Sequence, residues 1–293
     1  LSKNSMHTSA APVSPPVGGE NLEAFNGEWN FSTVAHLYRR TTFGATMQQI
    51  HDAAALTLDQ VIDQLFEEIP MPDEPVNFVY PNIPEIPLGQ SWVNVGLATN
   101  DQGTLPDFQM QNQARIASLR AWQLGLLLKP ELNIREKMTL FWHNHFVTEI
   151  QIIRDANMMY KYINTLRQNA LGDFKDLVKK ITIDPAMLVY LNGDENRLNA
   201  PNENYARELL ELFTIGKGAL AGPGDYTTFT EDDVVAAAKV LTGWRVFGFG
   251  SRQDGEPYGV FVNPQHDKTV KQFSERFNNT TIRNNGENEY ADL

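Results

Sequence analysis

The chain has 293 residues, 42% of them hydrophobic, enough to build one large core or two modest ones, and it contains no cysteine, which excludes disulfides, thiolate metal sites and cysteine nucleophiles. Its 36 acidic side chains outnumber 24 basic ones, for a formal charge of −12. With no basic cluster to override it, that field repels phosphate backbones and anionic lipid, so no nucleic-acid partner is expected.

No apolar run reaches the roughly 18 residues of a membrane-spanning helix, so no transmembrane segment is expected either. Residues 1–29, polar, small and proline-rich, read as a flexible tail or linker that packs, if at all, through Phe25 and Trp29. Residues 30–293 read as a helical domain. Ser32 is the expected N-cap of a first helix with Val34, Leu37 and Tyr38 on one face, and Thr46 and Thr57 cap two more, the last burying Val61, Leu65 and Phe66. Residues 69–106 form a proline-rich excursion whose seven prolines exclude regular helix across most of it. Its Phe78, Tyr80 and Trp92 favour wrapping over the core rather than a mobile flap.

Helical periodicity resumes from Asp107 to Lys129, and again after Asn133 through "IREKMTLFWHNHFV". It continues through a stripe of Met158, Met159, Tyr162, Ile163 and Leu166. Asp173 and Asp184, the latter followed by Pro185, are N-caps of two shorter helices, and Thr230 with Asp233 has capping-box spacing. Beyond Trp244 the runs "WRVFGFG" and "YGVFVN" read as a β-hairpin. The fold expected is mainly α, an irregular multi-helix domain with a proline-rich excursion and a short β-hairpin near the C-terminus.

Three places carry groups able to do chemistry. In "FWHNHF", His143 and His145 lie about 200° apart if the segment is helical, so one metal ion cannot readily take both rings. They converge only if the helix ends near Trp142. In "PNENYARELLELFTIG", Asn202 caps a helix burying Tyr205, Ala206, Leu209, Leu210, Leu212 and Phe213, while Asn204, Arg207, Glu208 and Glu211 recur as a polar stripe. So wide an apolar flank turns that stripe inward, where its carboxylates need a partner. Two readings stand side by side: His143, His145, Asn204, Glu208 and Glu211 supply ligands for a divalent metal, or Arg207 centres a buried salt-bridge network. Third, His266 beside Asp267 offers a local acid–base pair. The loop "LNGDENRLNAPNEN" carries oxygen donors of the kind calcium takes but lacks the register of a helix-loop-helix site, so it reads as capping and turns. No serine-nucleophile elbow, P-loop or dinucleotide fingerprint occurs.

The blocks "VAHLYRRTTFGAT", "REKMTLFWHNHFVT", "DPAMLVYLNGDENRLNAPNENYARELLELFTIGKG", "YTTFTEDDVVAAAKVLTGWRV" and "HDKTVKQF" resemble, in that order, the bacterial family called domain of unknown function 1800. The resemblance spans about His36 to Phe273, with the proline-rich stretch and the tail outside it. It implies a mainly helical bacterial protein, often exported to the periplasm, cell surface or medium, and a protein partner from a neighbouring sulfatase-like family. It implies no activity. Members usually continue past the "HD" block into further helices, so a C-terminal part is expected to be missing here. Two functions follow from residues and resemblance together. One is a metal-dependent hydrolytic or oxidative enzyme of the cell envelope, with His143 or His145 joining Glu208 and Glu211 at the metal, Arg207 steadying an anionic group and His266 moving protons. The other is a non-catalytic exported scaffold or surface interaction protein whose polar motifs are structural.

Overall fold

A computed structural model describes residues 24–78, 86–97, 105–129, 131–223, 225–248 and 255–293. Three short helices come first: α1 (Phe31–Thr41), α2 (Met47–Ala54) and α3 (Leu58–Phe66). Each opens on a capping box. The cap of α1 is Asn30 rather than the expected Ser32. Its side chain accepts from the N–H groups of Ser32 and Thr33, and Thr33 returns a bond to the Asn30 N–H, so the reciprocal pair forms two residues earlier. Val34, Ala35, Tyr38, Ile50, Ala53, Val61 and Leu65 close a small core of their own. Phe66, expected in it, is 55% exposed, because α3 ends there.

The larger core gathers around α7 (Ala156–Gln168), whose stripe of Met158, Met159, Tyr162, Ile163 and Leu166 is buried as the periodicity predicts. Against it pack α4 (Leu105–Leu128), α5 (Arg135–His145), α6 (Ile150–Ile153), α8 (Phe174–Thr182) and α9 (Pro185–Tyr190). The start of α5 joins the two cores: the Ile134 N–H bonds the Leu65 carbonyl at 3.0 Å, and Asn133 Nδ2 bonds the Glu67 carbonyl at 2.7 Å. Asp173 and Asp184 cap α8 and α9 as expected. The described part of the proline-rich excursion does wrap the core. Trp92 is fully buried with its indole N–H on Ser118 Oγ at 2.9 Å, and Arg115 holds the Val95 and Gly96 carbonyls. Phe78 does not share in this, being exposed, and Tyr80 lies outside the described residues.

Then come α10 (Glu203–Glu208), capped by Asn202 and running directly into a π-helical turn at Leu209–Thr214, and α11 (Glu231–Val240), capped by Thr230 and Asp233. Among the described residues strand is limited to three antiparallel two-stranded ribbons: β1 (Leu220–Gly222) with β2 (Asp225–Tyr226), β3 (Trp244–Phe247) with β4 (Tyr258–Phe261), and β5 (Lys271–Gln272) with β6 (Thr281–Ile282). The molecule is thus mainly α with short hairpins toward the C-terminus. The expected hairpin is β3–β4, with Trp244 opposite Phe261 and Phe247 opposite Tyr258. Gly259 permits its seat on the α8–α9 junction, since a Cβ there would stand 2.3 Å from the Ile183 carbonyl oxygen.

Candidate functional site

Both histidines of "FWHNHF" fall inside α5, and the helix sends them to different partners. His145 Nε2 donates to the Phe213 carbonyl at 2.8 Å, its ring set among Trp142, Phe146, Phe174 and Phe213. His143 meets Tyr162 instead, Nδ1 to the phenol oxygen at 3.3 Å. Tyr162 spends its proton on the Phe146 carbonyl. Its oxygen therefore accepts, and His143 is the Nδ1–H tautomer with a lone pair on Nε2. Burial pushes the His143 imidazole below its ordinary range, which keeps it neutral at pH 7. This ring lines a cleft of about 320 Å³ between α4, α5, α6 and α7. The cleft floor is Ile116, Leu119, Met159 and Ile163, and the rim carries Arg120, Gln123, Glu149 and Gln151.

The polar stripe of α10 does not reach either ring. Arg207 turns to α11, where its two terminal nitrogens donate to Glu231 at 2.7 Å each, and one also lies 3.4 Å from Glu203. The fork raises the Arg207 pKa and lowers that of Glu231. Glu211 pairs with Lys217 at 3.1 Å, and Asn204 Nδ2 reaches the Leu191 carbonyl at 3.3 Å. Glu208 stands near Tyr190, whose phenol is raised by burial first and then by Glu149 and Glu208. The expected stripe assumed an unbroken α-helix through Glu211. The π-helical turn adds a residue to the repeat, rotating Glu211 off the line and leaving Leu212 exposed rather than buried. Among the described residues no three His, Asp or Glu side chains stand together so as to hold a metal. The expected grouping of His143, His145, Asn204, Glu208 and Glu211 is therefore not assembled. Arg207 belongs to an interhelical fork with a partly exposed edge, and Arg207→Ala is expected to lower stability by under about 1 kcal/mol in urea unfolding.

His266 and Asp267 do not form a pair either. Asp267 turns its carboxylate back onto the Thr269 N–H and hydroxyl at 2.7 and 2.6 Å. Burial alone would raise the acid, but those bonds and the Lys271 and Lys239 charges bring it below its ordinary value. His266 is fully buried, with Nδ1 donating to the Thr242 carbonyl at 2.9 Å and Nε2 lying 3.0 Å from Glu289 Oε1. Lys271 Nζ bonds Glu289 Oε2 at 2.5 Å and also donates to the Asp267 carbonyl. None of the three side chains reaches solvent. Sequence reasoning missed Glu289 and Lys271, because the bond that joins them spans 18 residues and no periodic signal marks it. It missed Asp233 as a tie as well: beyond capping α11, its carboxylate accepts from the Ser274 N–H and hydroxyl, both at 2.7 Å.

The ordered blocks of the sequence, now placed on one helical body, match the family described as Protein of unknown function (DUF1800) over residues 36–293. The chain belongs to this family. No curated protein and no solved structure matches it. The DUF1800 match runs past Phe273 to residue 293 and across the proline-rich stretch, both of which the sequence resemblance set outside. Within that added stretch Glu289 closes the buried network on His266 and Lys271. The loop "LNGDENRLNAPNEN" acts in this DUF1800 chain as caps and braces: Asn196, fully buried, bonds the Ala238 carbonyl at 2.8 Å and accepts from the Asn202 N–H at 2.9 Å. No helix among the described residues is long and apolar enough to cross a membrane.

A larger hollow of about 650 Å³ lies where α3, α4 and α5 meet. Three of its polar side chains are spent on structure, Asn133 on the Glu67 carbonyl, Arg135 on the Ile69 carbonyl and Glu136 on the buried Arg167, and none of the residues nominated for chemistry lines it. The smaller cleft beside His143 is the better candidate site.

Proposed function

We propose that this DUF1800 chain is a non-catalytic exported scaffold or surface interaction protein, whose charged motifs bind its helices to one another. One observation carries the reading: residues nominated for chemistry are tied into separate intramolecular contacts. Arg207 is spent on Glu231, Glu211 on Lys217, His145 on a backbone carbonyl, and His266 on Glu289. A metal-dependent enzyme needs one of the α5 histidines beside Glu208 and Glu211, and those groups have other neighbours. Export, and a protein partner from the sulfatase-like family, rest on the family resemblance in the sequence.

The test is metal content. Untagged protein, purified without chelator, is expected to carry well below one transition-metal or calcium ion per chain, with no change in His143→Ala or Glu208→Ala. One ion per chain, lost in both variants while the melting temperature holds, would overturn the proposal in favour of the metal-dependent enzyme.

A further inference from the structure

Over most of the molecule, polar side chains that leave bulk water find partners within the chain. Around the rim of the cleft beside His143 the polar side chains instead stay in contact with solvent. Arg120, Gln123, Glu149 and Gln151 surround it, and none of their side chains makes a hydrogen bond or ion pair with another described residue. On open surface that would be ordinary solvation. Here the four share a concavity with His143 Nε2, a half-buried acceptor whose proton is fixed on the other ring nitrogen by Tyr162. That nitrogen opens onto the cleft, where a ligand N–H or O–H takes the place of water as its donor.

From these residues we propose that the cleft binds a small aliphatic α-amino acid as its zwitterion. The rim presents one guanidinium and one carboxylate that are not paired with each other, which is the complement of a molecule carrying both charges. Arg120 is the partner for the ligand carboxylate, which a planar fork takes bidentately. Glu149 and the neutral His143 Nε2 are acceptors for the ammonium, which has three N–H groups to place. Gln123 and Gln151 supply an amide donor and acceptor each. The floor selects the side chain: Leu119, Met159 and Ile163 are aliphatic or thioether, and no Phe, Tyr or Trp lines the cleft. A branched alkyl group packs there, whereas a sugar or a planar ring lacks a face to stack on. At about 320 Å³ the space suits a molecule of leucine's size. A zwitterion has no net charge, so the protein's −12 neither draws nor repels it.

The inference stands independently of the scaffold reading and of any metal. Isothermal titration with leucine tests it, alongside isocaproate, which lacks the ammonium, and isoamylamine, which lacks the carboxylate. Saturable leucine binding is expected, with either analogue at least about tenfold weaker, a difference of about 1.4 kcal/mol. Arg120→Gln and Glu149→Gln alter exposed side chains without partners, so both are expected to keep the wild-type melting temperature while each weakens leucine at least about tenfold. No saturable heat with leucine up to about 20 mM, beyond the millimolar range of weak ligands, would overturn the proposal. So would equal binding of all three compounds, or variants that bind leucine like the wild type.

Discussion

Lys271→Met is expected to lower folding stability by about 3–5 kcal/mol, the cost typical of removing one partner from a fully buried ionic pair. The variant leaves Glu289 with no cation at its Oε2 and no solvent to replace it, since neither side chain is exposed. Methionine keeps the volume of the lysine stem, so the loss is electrostatic rather than a cavity. Glu289→Leu is expected to cost a similar amount by stranding the ammonium. The double variant is expected to lie closer to the wild type than either single one, because both charges leave together. Urea unfolding of the four proteins measures this cycle. Single-variant losses below about 1 kcal/mol, the range of an exposed pair, would show that the network is wet and that the tail is not fastened there. The same bonds bring residues 286–291, a 3₁₀ segment, onto the β5 strand and His266. Loosening it should therefore expose Trp244, which Tyr290 meets edge-on at 5.3 Å, and shift its fluorescence to the red.

Which features the sequence discloses, and which it hides, follows from how local their causes are. Helix caps are encoded within four residues, so Thr46, Thr57, Asp173, Asp184, Asn202 and Thr230 could all be recognised. Asn30 was overlooked because Ser32 is an equally good cap by type, and only the return bond from Thr33 decides between them. The α7 stripe and the β3–β4 hairpin also declare themselves by period. The candidate site does not. Its reading treated α10 and the following turn as one ideal helix, and a single π-helical insertion redirects Glu211 and Leu212. Arg207 finds Glu231 across 24 residues, and His145 finds the Phe213 carbonyl across 68, contacts for which no local pattern exists. The inference about His143 and His145 succeeded in one respect for a local reason: two residues on a helix diverge, and they do. What it could not supply is the role of Tyr162, which fixes the His143 tautomer from another helix.

Asp184 gives the second large effect, and it depends on pH. Its Oδ1 caps α9 through the Ala186 N–H at 2.9 Å, while Oδ2 is buried with no partner among the described residues. Burial pushes the acid up to about 7, against the pull of the Ala186 and Met187 N–H groups and of Lys161. The unfolded chain loses this proton near pH 4 and the native state keeps it to about pH 7, so Asp184's contribution to stability is greatest below about pH 4 and falls as pH climbs to about 7. A span of about three pH units corresponds to about 4 kcal/mol. His143, lowered by burial, contributes the opposite slope just below its ordinary range, so the wild-type curve alone is ambiguous. Comparison with Asp184→Asn removes that ambiguity, since His143 is common to both. The asparagine keeps a cap oxygen for Ala186 but adds a buried amide with no acceptor, a cost of about 1–3 kcal/mol at every pH. The variant is therefore expected to be the weaker protein at pH 4 and to gain on the wild type by several kcal/mol by pH 8, with the two stability curves crossing between. Urea midpoints taken each pH unit from 4 to 8 measure the crossing, and parallel curves would mean that Asp184 is already ionised in the native state at pH 4.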